Sequence, residues 1–176
     1  STLGRMLIGM LPTTSGTISF DGETVDPANR TSMARLRRRA QLVFQDPYSA
    51  LNPKLTVGSA LEEALVHAGT PASEATHHAR RLLEEVGLNA SDAAKYPSGF
   101  SGGQRQRIVI ARALAVEPEF VVLDESVAAL DVQIQRDVLE LLDRIGRERK
   151  LTYLFISHDL DVVASFCNRL IILEKG

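Results

Sequence analysis

The residues with the most chemical capability lie between Phe100 and Asp131, in FSGGQRQRIVIARALAVEPEFVVLDESVAALD. Ser101-Gly102-Gly103-Gln104 opens a helical pattern. Two adjacent glycines in a first helical turn give up about 1 kcal/mol each relative to alanine, so this turn serves something other than helix stability. With no Cβ at either position, the first-turn N–H groups can face an anion, and the helix dipole adds partial positive charge at the same point. A phosphate fits that description. Ser101 and Gln104 also fit a capping box, Ser-x-x-Gln, which explains those two residues by helix ending alone and leaves the glycines unexplained. Downstream, the apolar run Phe120–Leu123 delivers Asp124-Glu125. Such an acid pair either solvates a strand end or works on a ligand, because ligands of open α/β sheets sit beyond the carboxyl ends of the strands.

Two more polar residues occupy the same kind of position. Gln45 succeeds the strand pattern of residues 40–44, and its amide oxygen can reach a metal or a water. His158 succeeds the strand pattern Thr152–Ile156, inside Ser157-His158-Asp159. A single Gln means little and a lone His is usually structural, but a shared strand-end edge makes both candidates for polar machinery.

The elements that must position these groups read as alternating strands and helices with one helical interruption. Residues 1–10, STLGRMLIGM, place Leu3, Leu7 and Met10 at helical spacing, closed by Leu11-Pro12. A Gly-x-x-x-x-Gly-Lys-Ser/Thr loop runs into a helix that starts on Ser-Thr in this way. On that reading Ser1 supplies a hydroxyl to magnesium and Thr2 lies beside the phosphates; the pair is equally a plain N-cap. Residues 17–25 read as a hairpin around Asp21-Gly22, and 32–39 as a short basic helix. The segment DPYSALNP after Gln45 reads as a shaped loop rather than a helix or strand. From Thr56 to Tyr96 two apolar stripes, Val57-Ala60-Leu61-Ala64-Leu65-Ala68 and Ala75-Ala79-Leu82-Leu83-Val86, predict a small helical subdomain. His77 and His78 are neighbours and so point to different parts of a helix surface. A long amphipathic helix with Ile134, Val138, Leu141, Leu142 and Ile145 inward comes after Asp131, and residues 170–173 read as a last strand.

At 176 residues and 44% hydrophobic content, the chain can bury one good-sized core, with or without a satellite. Twenty basic against 22 acidic residues, a net charge of -2, argue against a protein built to coat nucleic acid, and the Arg35, Arg37, Arg38, Arg39 cluster reads as a solvated face. The single Cys167 excludes an internal disulfide and suits a reducing compartment as a small apolar residue on a helix. No apolar run approaches the roughly 20 residues that span a bilayer.

Together, Gln45, FSGGQ, FVVLDE, AALD and His158 resemble the ATP-binding subunit of an ABC transporter, over the whole chain. The stretch FQDPYSALNP, with Phe before SGGQ, is similar to the oligopeptide/dipeptide importer branch, whose relatives also carry nickel and glutathione. The resemblance implies an α/β P-loop ATPase core with a mostly parallel sheet and an inserted helical subdomain. Residues 1–55 and 116–176 would form the core and 56–115 the helical part with the signature. It implies ATP and Mg2+ as cofactors. Ser1, Gln45 and Asp124 would serve the metal, Glu125 would be the general base, and His158 would contact the γ-phosphate. Thr2 would lie beside the phosphates, Ser101, Gly102, Gly103 and Gln104 would bind the γ-phosphate held by an opposite subunit, and Asp131 would couple the two sites.

The implied partners are a second ATP-binding subunit, identical or not, membrane permease subunits and, indirectly, a solute-binding protein, with no nucleic acid. The implied place is the cytoplasmic face of the inner membrane, peripherally. Ser126 stands where the family usually has proline, and Ser98-Gly99 replace the usual His-Glu. The glycine loop, its lysine and an adenine-stacking aromatic are expected to precede Ser1, and the chain to stop short of its natural end. A segment with these bounds is therefore expected to bind ATP poorly and not turn it over. A soluble ABC ATPase acting on ribosome or DNA is the competing reading, and DPYSALNP, where transporters receive a membrane partner, favours transport.

Overall fold

The computed structural model of the chain describes residues 2–44 and 46–174. Its elements in order are α1 (Thr2–Leu7), β1 (Ser19–Phe20), β2 (Glu23–Thr24), α2 (Arg30–Arg39), β3 (Ala40–Val43), α3 (Pro47–Ala50), α4 (Val57–Ala68), α5 (Ala72–Glu85), α6 (Gly102–Leu114), β4 (Phe120–Asp124), α7 (Val132–Arg149), β5 (Thr152–Ile156) and α8 (Leu160–Phe166). Short 3-10 turns at Ala90–Ala94 and Pro97–Gly99 link α5 to α6.

Strands β3, β4 and β5 form a parallel sheet in that order, with Ala40, Phe120 and Thr152 in register at one edge and Val43, Leu123 and Phe155 near the other. Side chains of a strand alternate between faces, and the two hydrophobic clusters divide accordingly. Val43, Val121 and Leu123, with Tyr153 and Phe155, join the cluster built with α4 to α7. Ala40, Val122 and, less buried, Leu42, Phe120, Leu154 and Ile156 join Ile8 of the α1 turn and Leu36 of α2 on the opposite face. The sheet is thus covered on both sides, which explains why β4 reads as an unbroken apolar run.

The first helix departs from its sequence reading. Leu3 and Met10 are 41% and 54% exposed, whereas Gly4 and Ile8, one helical repeat apart, face the sheet. A Cβ on Gly4 would come within 2.9 Å of Val122 Cγ1 and 3.1 Å of Ile156 Cδ1, so glycine lets α1 lie close on β4 and β5. Of the α2 arginines, Arg35, Arg37 and Arg38 are exposed, as a solvated face requires, while Arg39 is half-buried and tied down. Arg35 pairs with Glu23, and Arg39 holds Asp21 at 2.8 Å and Glu119 at 2.6 Å while its guanidinium lies 4.7 Å from the Phe20 ring. Those contacts pin the β1–β2 hairpin to the start of β4.

Two further expectations are corrected. DPYSALNP is not all loop: Pro47 occupies the first turn of α3, where its missing N–H costs nothing, and the Asp46 carboxylate accepts the Tyr48 N–H at 2.9 Å. Residues 170–173 form no strand and are 58–78% exposed, because no described strand lies beside them to pair with. The helical block does form as two packed helices. Val57, Leu61 and Leu65 of α4 and Ala75, Ala79, Leu82 and Leu83 of α5 are buried, with Gly69 closing α4 at φ 109°. Their apolar cluster continues without a break into α6, α7 and the sheet. His77 is exposed and His78 half-buried on α5, and Cys167 is half-buried where α8 ends, with burial pushing its thiol up.

Candidate functional site

Because β3, β4 and β5 are parallel and in register, the residues just past each of them emerge at one edge. Asp124 ends β4 opposite Ile156 and is buried, 3% exposed. The next residue, Glu125, turns into the left-handed region at φ 48°, where a non-glycine residue costs of order 1–3 kcal/mol. Its N–H donates to the Ile156 carbonyl at 2.9 Å, which stitches the ends of β4 and β5 together and holds the turn. The turn aims the Glu125 carboxylate at the loop after β5, where His158 Nδ1 lies 3.4 Å from Glu125 Oε1. The backbone on the far side of His158 is fixed by local hydrogen bonds. Ser157 Oγ accepts the Asp159 N–H at 3.0 Å, and the Asp159 carboxylate caps α8 by accepting the N–H groups of Asp161 and Val162. His158 is otherwise open, with its side chain 73% exposed, so the Glu125–His158 pair faces outward from the sheet edge.

Thr2 comes to the same edge. Gly4 packs on Ile156, the last residue of β5, while Ile8 packs with Ala40 at the opposite end of β3, so α1 runs with its start toward the strand carboxyl ends. Thr2, Asp124, Glu125 and His158 are therefore brought to one side of the molecule. Ser1 and Gln45 lie outside the described residues.

The Ser101–Gln104 turn belongs to a different neighbourhood. Its capping box is formed: the Gln104 N–H donates to Ser101 Oγ at 3.3 Å, and Gln104 Oε1 accepts the Ser101 N–H at 2.9 Å. The two glycines have different reasons. A Cβ on Gly103 would stand 2.3 Å from Ile134 Cγ2, so that glycine lets α6 pack against the first turn of α7. A Cβ on Gly102 would meet only Leu130 Cδ2, at 3.8 Å, an ordinary contact. Packing within the chain thus accounts for Gly103 and not for Gly102, and Ser101 beside it is exposed. Asp131 caps α7 by accepting the Ile134 N–H at 3.0 Å, directly next to this turn.

The carboxylate of Asp124 is an oxygen donor, the ligand type that a hard divalent cation such as magnesium takes. Among the described residues no group of three or more His, Cys, Asp or Glu side chains is placed to hold a metal. A cleft of about 370 Å³ lined by Leu65, His78, Arg81, Glu85, Leu114 and Arg149 is elsewhere: Glu117 and Arg149 on its wall precede β4 and β5, so it opens at the amino ends of the strands.

Sequence reasoning gave no role to Arg105 or Gln106, which follow the glycine turn. Among the described residues, Gln106, fully buried, has no hydrogen-bond partner for either amide atom, and Ser126 Oγ is likewise buried without one. Arg105 stacks on Tyr48. The basic residue right after SGGQ was the available signal for Arg105; for Gln106 it was a polar residue inside an apolar helical stripe.

The profile of the ABC transporter family matches residues 1–128. The chain belongs to the ABC transporter family. Its similarity to curated ABC proteins extends over all of its length. It is 49% identical to a putative peptide import ATP-binding protein of Brucella abortus, of which it spans 53%. It is 45% identical to the oligopeptide transport ATP-binding protein OppF of Bacillus subtilis, of which it spans 59%. A third relative, the glutathione import ATP-binding protein GsiA of Pectobacterium atrosepticum, is 45% identical and is spanned over 28% of its length. The chain spans about half the length of these Brucella relatives. Among solved structures, it superposes on cbiO1 of Clostridium perfringens, part of the ABC transporter complex cbiONQ. That match has a TM-score of 0.85 and 30% identity over 95% of this chain and 65% of the other. It also superposes on the ATP-binding cassette MJ0796, solved as a dimer in a post-hydrolysis state bound to ADP and Pi. Here the TM-score is 0.77 at 27% identity, over 92% of this chain and 70% of the other. The fold is that of an ABC ATPase domain.

Proposed function

We propose that the protein carrying this chain is the ATP-binding, ATP-hydrolysing subunit that powers import of peptides or related small solutes. The observation that carries the chemical part is the Glu125–His158 pair, 3.4 Å apart at the strand edge beside buried Asp124. Glu125 is the general base that takes a proton from the attacking water, and His158 orients the γ-phosphate from the opposite side of that carboxylate. Asp124, Ser1 and Gln45 would hold magnesium, with Thr2 beside the phosphates. When bound, the cation would neutralise charge on the phosphates.

Gly102 and the exposed Ser101 account for the remainder. The N–H groups of their helix start would receive the γ-phosphate of a nucleotide held by a second protomer closing over it, with Asp131 between the two sites. Hydrolysis is therefore a property of a dimer, homo- or heterodimeric. The MJ0796 structures, themselves described as dimeric, support that reading. Residues 56–115 act as the helical subdomain between the core parts 1–55 and 116–176.

The names of the relatives favour transport through permease subunits over a soluble role on ribosome or DNA. Among the described residues no helix is long and apolar enough to cross a membrane, in keeping with peripheral attachment at the cytoplasmic face through those permease subunits. The test is Glu125→Gln in the full-length protein, assayed for phosphate release. Turnover falls about a hundredfold or more while ATP still binds; turnover near that of the parent removes Glu125 from the mechanism.

A further inference from the structure

Two arginines of α6 hold α3, the single turn of helix just after Gln45. Arg105 and Arg112 are seven residues apart and share one face of α6. Arg112 Nη1 donates to the carbonyl of Ala50, the last residue of α3, at 2.6 Å. The Arg105 guanidinium carbon lies 3.9 Å from the centroid of the Tyr48 ring. At its edge, Arg105 Nε and Nη2 both donate to the Phe100 carbonyl, at 2.9 and 2.5 Å. Phe100 immediately precedes the cap Ser101, and its own ring is buried, 4% exposed. One planar cation thus touches α3 with its face and the backbone behind Ser101 with its edge, a combination that a lysine cannot reproduce. The outer side of Tyr48 remains open, at 64% exposure.

We propose that Arg105 is a positioning residue that sets the aim of the α6 N–H groups according to where α3 holds the Tyr48 ring. It rests on the reading of Ser101–Gln104 as a phosphate site completed by a second protomer. A capping box alone fixes Ser101 relative to its own helix; it says nothing about α3. The Arg105 bridge does, because displacing the ring displaces the guanidinium, and with it the carbonyl one residue before the cap. A partner that pushes on exposed Tyr48 would thereby alter how well the turn receives phosphate.

The experiment uses the full-length protein with Glu125→Gln, titrated with ATP and followed by sedimentation for dimer. Arg105→Ala, Arg105→Lys and Tyr48→Leu each raise the ATP concentration at half-dimerisation by about tenfold, and Tyr48→Phe, which keeps the ring face, does not. The double variant Arg105→Ala/Tyr48→Leu is no worse than Arg105→Ala, since both remove the same bridge. ATP binding to the dilute monomer and the thermal midpoint stay at the parent's values, which separates positioning from folding. Unchanged dimerisation in Arg105→Ala, additive losses in the double variant, or parallel loss of monomer ATP binding overturns the proposal. Should Arg105→Ala fail to fold, the contrast between Tyr48→Leu and Tyr48→Phe decides alone. If the Glu125→Gln parent itself forms no ATP-dependent dimer, the phosphate-site reading falls, and that result is distinct from a failure of the bridge.

Discussion

Gly102 and Gly103 are adjacent and chemically identical, yet the structure gives them opposite explanations. Substitution by alanine is expected to separate them. Gly103→Ala drives a Cβ to within 2.3 Å of Ile134 Cγ2, an overpacking that costs about 1–3 kcal/mol, and the thermal midpoint of the full-length protein falls by several degrees. Gly102→Ala meets only an ordinary contact at 3.8 Å, so stability holds or rises slightly while ATP-dependent dimer formation is lost. If Gly102→Ala dimerises normally with ATP, the turn does not receive phosphate. The sequence alone made both glycines candidates, because helix propensity penalises them equally. The partner that distinguishes them, Ile134, is about thirty residues downstream and invisible to local pattern. Glu125 was legible as a carboxylate after a buried strand, but its φ of 48° was not, since no turn-forming residue announces it. That backbone turn brings it to His158.

At the scale of elements, the periodic ones were readable and the short ones were not. Burial on two faces made β4 a continuous apolar run, and α4, α5 and α7 carried clear stripes. α3 was missed because four residues cannot display a period, and its only marks, Asp46 and Pro47, also mark loops. The apolar run at 170–173 has strand composition, but a strand exists only where another pairs with it. The turn between α5 and α6 shows how ionisable groups secure a short element. Asp92 accepts the Asn89 N–H at 3.0 Å and pairs with Lys95 at 2.7 Å. The Lys95 ammonium, then the Asn89 backbone, hold its carboxyl below the usual carboxylate range. Glu119 is likewise held down, by Arg39. Groups whose folded pKa is depressed lend stability above their ordinary pKa, near about 4, and lose it as pH falls through the lowered value. The thermal midpoint of the parent therefore drops on acidification from about pH 5 to about pH 3, and less steeply in Asp92→Asn. An identical slope in Asp92→Asn would show that this pair contributes nothing to the acid response.

At the scale of the whole molecule, Asp124, Glu125 and His158 fall on one edge because parallel strands share a register, while the glycine turn is presented beside Leu130 and Ile134. A nucleotide sandwiched between two protomers would need the strand-end groups of one chain and the glycine turn of the other. The sequence motifs supplied the residues, and the parallel topology supplied their convergence. The most direct measurement is sedimentation of full-length Glu125→Gln with saturating ATP, beside the same protein carrying Ser101→Arg as well. A sandwiched nucleotide requires a dimer for the first and an ATP-loaded monomer for the second. A dimer in both, or ATP binding lost together with the dimer in the second, would contradict it.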